Sequence, residues 1–186
     1  MTNAKIIKSL DIAHQHGLHT SVFLMIGLPD ETQEDVMATI RLMARSRPGR
    51  FRWSFFFPYP GTRAYELSAV GKYIDFERMA ALENFTDASC LRFGPEHDLF
   101  LKKVGRAMPW FVNACSDLPV AGFYRRMVDE ILQLDEKSWQ QRAPSIERED
   151  REISAGFARQ GLSHYAIKYN RFMGVISDFF LNENQE

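Results

Sequence analysis

The sequence predicts an α/β protein in which a short parallel sheet is followed by a mainly helical extension. Two apolar runs, residues 22–27 and 55–57, each end in a turn rich in glycine and proline. Each turn leads into a segment whose apolar residues recur every three to four positions, which is typical of an amphipathic helix. Strands that alternate with helices form βαβ units, so the two strands are predicted to be parallel, with right-handed crossovers.

Composition limits the class of protein. The 186 residues are 45% apolar and carry a net charge of −1, which suits one domain, or one domain with an appendage. A near-neutral charge argues against a nucleic-acid partner. No apolar run approaches the roughly 18 to 20 residues that span a bilayer, and the first residues do not form a signal peptide. We therefore expect a cytoplasmic location and no membrane span.

The two cysteines, Cys90 and Cys115, are too few for a disulfide framework. The simplest interpretation is a pair of reduced, buried thiols, with a single Cys90–Cys115 bridge as the alternative. Three histidines lie close together in the sequence, but no two of them are spaced four residues apart on a helix. A metal site is therefore not expected at His14, His16 and His19.

The first helix is predicted over residues 3–16, and Gly17 ends it because glycine enters the left-handed conformation freely. The strand that follows, residues 22–27, is continuously apolar. Continuous apolar runs are typical of strands that are buried on both faces, whereas alternation would indicate one wet face.

The second helix is predicted to begin near residues 30–32, where Thr32 and Asp35 have capping-box spacing. Glu31 fits two roles. It could support the helix N-terminus, where a carboxylate contributes roughly 0.3 to 1 kcal/mol, or it could contact a ligand. The pair Pro48–Gly49 ends this helix.

The second strand has two different faces. One face is predicted to pack on helices, and it is aromatic: Phe51, Trp53, Phe55 and Phe57. Ser54 and Phe56 are predicted to point to the inner face, which can line a cavity. Arg52 shares that face and is expected near the rim, because a buried guanidinium needs a carboxylate partner. The following turn leads to a helix over about residues 62–70, capped by Thr62.

The two turns are predicted to meet. Parallel neighbours end at the same edge of a sheet, and α/β proteins build ligand sites at the carboxyl edge. Aromatic residues at this edge, Phe56 and Tyr59, could stack on a flat substrate or serve only in packing. The sequence therefore predicts one pocket above both turns.

The pattern changes after residue 75, which divides the chain into predicted domains 1–74 and 75–186. Helices are predicted at three places: residues 76–84, residues 96–115 with a break at Met108–Pro109, and residues 120–134. Residues 135–158 are highly charged and predict a partly helical surface linker. A last helix is predicted from an apolar stripe: Tyr165, Tyr169, Phe172, Ile176 and Phe179.

The segments "SVFLMIGLPDET" and "FFFPYPGT" resemble the last two strand–loop–helix units of the radical S-adenosylmethionine (SAM) core. The closer similarity is to members with an N-terminal cobalamin-binding domain, such as the anaerobic magnesium-protoporphyrin monomethyl ester cyclase group. The resemblance covers about residues 3–70. It implies a fragment of a partial (β/α)6 TIM-like barrel, of which the two strands are the fifth and sixth.

The resemblance also implies which residues bind the cofactor. In the family, the end of the fifth strand packs an aliphatic side chain on the adenine of SAM, and backbone groups past the sixth strand bond the adenine edge. The matching cofactor-binding positions are Met25, Ile26, Gly27, Phe57, Pro58 and Tyr59. One departure is Phe23, which stands where the family often has glycine.

The family's CxxxCxxC motif, which holds a 4Fe–4S cluster, is absent from the chain. Cys90 and Cys115 are 25 residues apart and do not replace it. The resemblance therefore implies a C-terminal fragment of a larger enzyme, inactive alone and without catalytic or metal residues of its own. Its partners would be the N-terminal remainder of the same polypeptide and a small molecule, such as a tetrapyrrole or lipid-like substrate, with cobalamin as an optional cofactor.

The alternative is a non-catalytic α/β interaction or scaffolding module. The same Gly/Pro turns would then serve only folding, since each of them also starts a helix. Two strands alone leave unpaired edges, so we expect the C-terminal helices, or a second copy in a homodimer, to cover the sheet.

Overall fold

The fold comes from a computed structural model, which describes residues 2–82, 88–170 and 175–182. The elements in chain order are α1 (Asn3–Gln15), β1 (Ser21–Ile26), α2 (Gln33–Ser46), β2 (Arg50–Phe55), α3 (Arg63–Val70), α4 (Phe76–Ala81), α5 (Pro95–Cys115), α6 (Ala121–Leu132), α7 (Glu136–Arg142), a 3-10 turn (Ala143–Ser145), α8 (Ile146–Arg159), β3 (His164–Asn170) and β4 (Val175–Asn182). The protein is a mixed α/β chain in which helices predominate.

The strands form one mixed sheet in the order β1-β2-β4-β3. β1 and β2 are parallel neighbours, with Ser21 opposite Arg50 and Ile26 opposite Phe55. This confirms the predicted βαβ unit. β4 pairs antiparallel with β2, and β3 with β4. The far edge of β2 is thus covered by a strand, which the sequence did not predict. Helices of the extension pack on one face of the sheet, as expected, and the homodimer stays a prediction.

The predicted last helix is wrong, because residues 164–170 and 175–182 are strands. Phe172 lies outside the described residues. The amide of Asn113 explains the strand at Tyr165: it donates to the Tyr165 carbonyl at 2.9 Å and accepts from the Tyr165 N–H at 2.8 Å. A helix would need those backbone groups for itself. The Tyr165 hydroxyl also donates to the Pro48 carbonyl at 2.8 Å, so tertiary contacts override the helical spacing.

The main hydrophobic core lies between one face of the sheet and the helices α2, α5 and α6. Phe51, Trp53 and Phe55 all point into it, as predicted for that face of β2. Residues from both sides of position 74 contribute to this core. The division into domains at 74/75 stays a prediction.

The longest helix, α5, contains the predicted break. Ala107 has non-helical dihedral angles (φ −121°, ψ 26°), two residues before Pro109. A proline inside a helix removes a hydrogen bond and crowds the preceding turn, which accounts for the kink.

The charged segment over residues 135–158 is not a surface linker, because it forms α7 and α8 and contributes to the core. Trp139 is 3% exposed and Asp150 is fully buried. Asp150 accepts hydrogen bonds from Trp110 Nε1 and from the Ile167 N–H, both at 2.9 Å. The many charges lie on the outer faces of these helices, so composition obscured a buried inner face.

Lys103 ties α5 to the end of α6. Its side chain is buried, and its Nζ donates to the carbonyls of Leu132 and Leu134. We expect Lys103→Met to lower the free energy of unfolding by about 1 to 2 kcal/mol, because it leaves two carbonyls without their donor. Urea unfolding measures this, with Lys102→Met, at an exposed neighbour, as the control. An unchanged midpoint for Lys103→Met would contradict the role.

Among the described residues, no helix is both long and apolar enough to cross a membrane.

Candidate functional site

The carboxyl ends of β1 and β2 lie side by side, as predicted. The parallel ladder continues past the strands, since the Phe56 N–H donates to the Ile26 carbonyl at 2.8 Å. The two Gly/Pro turns therefore leave the sheet at one edge. We call this edge, with residues 25–28 and 56–59, the carboxyl edge.

The turn after β1 is held by Glu31. Its Oε2 atom accepts from the N–H of Gly27 at 2.5 Å and from the N–H of Leu28 at 3.3 Å. Burial raises the pKa of Glu31, and the two backbone hydrogen bonds oppose that rise. Gly27 has a φ angle of +75°, which residues with a side chain rarely adopt, so glycine is required there.

Glu31 does not cap α2. Thr32 is the N-cap, and it forms the predicted capping box with Asp35. The Thr32 hydrogen bonds hold the pKa of Asp35 below its usual range. The capping role weighed from the sequence is wrong, because the carboxylate serves the loop before the helix; contact with a ligand stays a prediction.

The turn after β2 is held by Thr62. Its hydroxyl donates to the Tyr59 carbonyl at 2.7 Å and accepts from the Tyr65 N–H at 3.1 Å, which caps α3 as predicted. The rings of Phe57 and Tyr59 lie 4.9 Å apart at 55°. Tyr59 is 56% exposed, so an aromatic ring is available to a ligand at this side of the carboxyl edge.

The face of the sheet opposite the core is open on β1. Phe23 is 66% exposed and Met25 is 49% exposed. The prediction that β1 is buried on both faces was therefore wrong: Val22, Leu24 and Ile26 pack on the core, whereas the side chains of the opposite face are exposed. In register beside them on β2 lie Arg52 and Ser54, with the Arg52 guanidinium 5.8 Å from the Phe23 ring centre.

Phe56 is buried in a second, smaller apolar cluster with Cys90 and Leu91. Of its two weighed roles, the structure shows packing. Cys90 and Leu91 belong to the extension, and their segment pairs with residues 73–75. The Asp75 N–H donates to the Cys90 carbonyl at 2.9 Å. Sequence reasoning missed this contact, because the partners are about 35 residues from the strand.

The sequence also did not predict a contact between the turn after β1 and residues 73–75. The Tyr73 hydroxyl donates to Asp30 Oδ1 at 2.6 Å, and Asp30 has a positive φ of 63°. A tyrosine after the third helix gives no signal in the sequence that it reaches this turn. The contact fixes the first turn from outside the sheet.

The structure brings all six predicted residues to the carboxyl edge but exposes them unequally. Ile26 is fully buried, and Gly27 and Pro58 are also buried. Phe57 is half-buried, whereas Met25 and Tyr59 are exposed. Two shallow pockets, of about 330 and 400 Å³, have other linings. The carboxyl edge is thus an open surface with side chains offered by Met25 and Tyr59.

Metal-binding chemistry finds no support among the described side chains. No group of three or more histidine, cysteine or acidic residues is placed to hold an ion there. His14 instead contacts the Thr20 hydroxyl at 3.0 Å. Both cysteines are free; Cys90 is buried as predicted, but Cys115 is exposed.

Comparison with known proteins gives one similarity. The chain is 30% identical over 95 residues to an uncharacterized methyltransferase of Pyrococcus horikoshii, which covers 46% of this chain and 21% of that protein. The chain thus corresponds to about a fifth of the length of this curated relative. No family profile matches the chain, and no solved structure matches it. Just under half of the chain is therefore similar to a methyltransferase.

Proposed function

We propose that this chain supplies the adenine side of a SAM site in a larger radical SAM enzyme, with β1 and β2 as the fifth and sixth strands of a partial (β/α)6 barrel. The observation that carries the proposal is the carboxyl edge. Two parallel neighbours end there in two Gly/Pro turns, beside the exposed apolar side chains of Phe23 and Met25 on β1. The similarity to a methyltransferase supports SAM as the cofactor.

The open face supports a barrel. A strand face that bears Phe23 and Met25 in solvent exposes apolar area that folding normally removes from water. In a barrel the same face lines the interior, where a ligand and the remaining strands would cover it. Further strands from the same polypeptide are the proposed cover.

The residues at the carboxyl edge fit an adenine ring. Adenine is flat and apolar on its faces and polar along its rim. The Met25 side chain offers a polarizable apolar contact, and the exposed ring of Tyr59 offers an aromatic surface. Backbone groups at residues 57–59 are proposed to bond the adenine rim, because Glu31 already occupies the N–H groups of Gly27 and Leu28.

The cysteines of this chain do not fit a 4Fe–4S cluster. A 4Fe–4S cluster that leaves one iron for SAM needs three thiolates, and the sequence has two separated cysteines. In the proposal, the cluster ligands belong to another part of the polypeptide. SAM, when bound at such a cluster, supplies a 5′-deoxyadenosyl radical; this chain binds and orients the adenosyl group.

The resemblance extends the proposal to a cobalamin-dependent cyclase or methyltransferase that acts on a tetrapyrrole or lipid-like substrate. The exposed apolar side chains Phe23 and Met25 suit a substrate with a large apolar body. Cobalamin itself rests on the resemblance alone.

Anaerobic reconstitution of the full-length protein with iron and sulfide tests the enzymatic proposal. We expect SAM to bind and 5′-deoxyadenosine to be released under reducing conditions. A filled cluster, seen by its absorption, without SAM binding or 5′-deoxyadenosine release would overturn the proposal.

Truncation of the exposed contacts is a sharper test of the placement. We expect Met25→Ala and Tyr59→Ala each to weaken SAM binding about five- to tenfold, since each loses on the order of 1 kcal/mol of buried apolar contact. Isothermal titration with SAM measures the affinity. Val70→Ala, at an 82% exposed apolar residue of α3, is the matched control and should leave it unchanged.

The second candidate is a non-catalytic interaction module. One observation favours it: hydrogen bonds within the chain from Glu31 and Thr62 hold both turns, so a ligand is not needed to explain them. The two candidates differ in the SAM titration, because a scaffold would bind none. Equal, measurable SAM affinity in all three alanine variants would instead show that SAM binds without the proposed contacts of Met25 and Tyr59.

A further inference from the structure

We propose that Glu31 is a positioning residue that sets the place of the first turn for adenine, an inference that rests on the proposed SAM site. The residue touches neither the proposed ligand nor any reacting atom. It acts through the backbone of Gly27 and Leu28, which follow directly after Met25 and Ile26 at the end of β1.

The geometry concentrates two hydrogen bonds on one atom. Consecutive N–H groups, those of Gly27 and Leu28, both point to Glu31 Oε2, at 2.5 and 3.3 Å. The loop closed by these hydrogen bonds spans five residues, from Gly27 to Glu31, and Gly27 lies in the left-handed region at φ +75°. Such converging N–H groups form a concave site for an anion, and here the chain fills it with its own carboxylate.

Helix α2 does not need this carboxylate. A capping box already closes its N-terminus, in which the side chains of Thr32 and Asp35 each accept from the other residue's N–H. Glu31 is half-buried, and a carboxylate without backbone donors would be costly there. The residue therefore serves the turn alone, which separates it physically from the capping of α2.

Two consequences follow for the ligand. The first is that the position of Met25 depends on Glu31, because the strand end cannot shift while the next two N–H groups are bound. The second is a division of roles: the N–H groups after β1 are used internally, so polar recognition of adenine falls to residues 57–59 after β2. The β1 side then contributes apolar contact only.

A matched pair of variants tests the role. Glu31→Ala removes the acceptor, whereas Asp35→Ala removes the capping partner of the same helix four residues later. Glu31→Gln keeps an oxygen that can accept both hydrogen bonds, since both meet on one atom. Two measurements are made on the full-length protein: SAM affinity by titration, and exchange of the Gly27 and Leu28 amide hydrogens, resolved by mass spectrometry.

We expect Glu31→Ala to weaken SAM binding about tenfold. This corresponds to a turn after β1 that adopts its SAM-binding conformation about a tenth of the time. Amide exchange at Gly27 and Leu28 should become faster. Glu31→Gln should restore both properties to near wild-type values. Asp35→Ala should lower the melting temperature by about 3 °C and leave SAM affinity unchanged.

The outcomes separate this inference from the proposed function. If the wild-type protein binds no SAM, the proposed function fails, while the exchange data still show whether Glu31 holds the turn. If SAM binds but Asp35→Ala weakens it as much as Glu31→Ala, helix stability explains the effect and the positioning role is wrong. Unchanged exchange at Gly27 and Leu28 in Glu31→Ala would also overturn it.

Discussion

Replacing Gly105 with leucine is expected to lower the free energy of unfolding by about 3 kcal/mol. Gly105 lies on the face of α5 that packs on β2. A Cβ added there would meet Phe55 Cζ at 2.7 Å and the Trp53 ring at 3.2 Å. Both rings are buried in the core and cannot move aside. The larger side chain must therefore push α5 away from the sheet, and urea unfolding followed by circular dichroism measures the cost.

Gly122 in α6 is the matched control for this prediction, because a Cβ added there meets nothing within 4 Å. Gly122→Ala is expected to raise the free energy of unfolding by roughly 0.5 to 1 kcal/mol, since alanine restricts the unfolded chain and favours a helix. A Gly105→Leu protein as stable as the wild type would show that α5 does not approach β2 as closely as described.

The contribution of Asp150 to the stability of the protein is expected to fall by on the order of 2 to 3 kcal/mol between about pH 4 and pH 7. Burial raises the pKa of Asp150 to about 6 in the folded protein, against the usual 3.8. The folded chain then binds more protons than the unfolded chain between these values. The contribution of Asp150 is therefore fully present below about pH 4 and is lost as the pH rises through 6.

Asp150→Asn isolates this effect, since the amide does not titrate. The difference in unfolding free energy between wild type and variant, measured by urea at several pH values, should change across this window and level off above it. Burial lowers the pKa of His97, so the contribution of His97 to stability rises with pH instead of falling. Taking the difference between wild type and variant cancels this contribution. Asp129→Asn, on the exposed face of α6, should keep the wild-type profile. A parallel profile for Asp150→Asn would contradict the assignment.

The Asp150 contacts matter beyond stability because they anchor the C-terminal hairpin. Trp110 and Ile167 share the carboxylate, which joins α5, α8 and β3. β4 continues from β3 and pairs with β2. The sheet that carries the carboxyl edge is thus held from its far side by a buried polar contact.

Local patterns in the sequence determined much of the N-terminal part. Gly17 ends the first helix, Thr32 and Asp35 form a capping box, and Thr62 caps α3, all as predicted. These features rest on residues within four positions of each other, whose hydrogen bonds form without distant partners. The parallel direction of β1 and β2 also follows from local information, since a helix between two strands forces a crossover.

Local patterns could not predict features that depend on residues far apart in the sequence. The residues around Tyr165 have helical spacing, yet they form a strand, because Asn113, 52 residues earlier, bonds the N–H and the carbonyl of Tyr165 and β4 pairs with β3. The exposure of Met25 depends on the absence of a packed neighbour among the described residues, which an apolar run cannot reveal. Local residue patterns were therefore sufficient to predict the turns and the helix that joins β1 to β2. The strand that covers β2 and the open face of β1 could be seen only in the folded chain, because burial and strand pairing depend on contacts between residues far apart in the sequence.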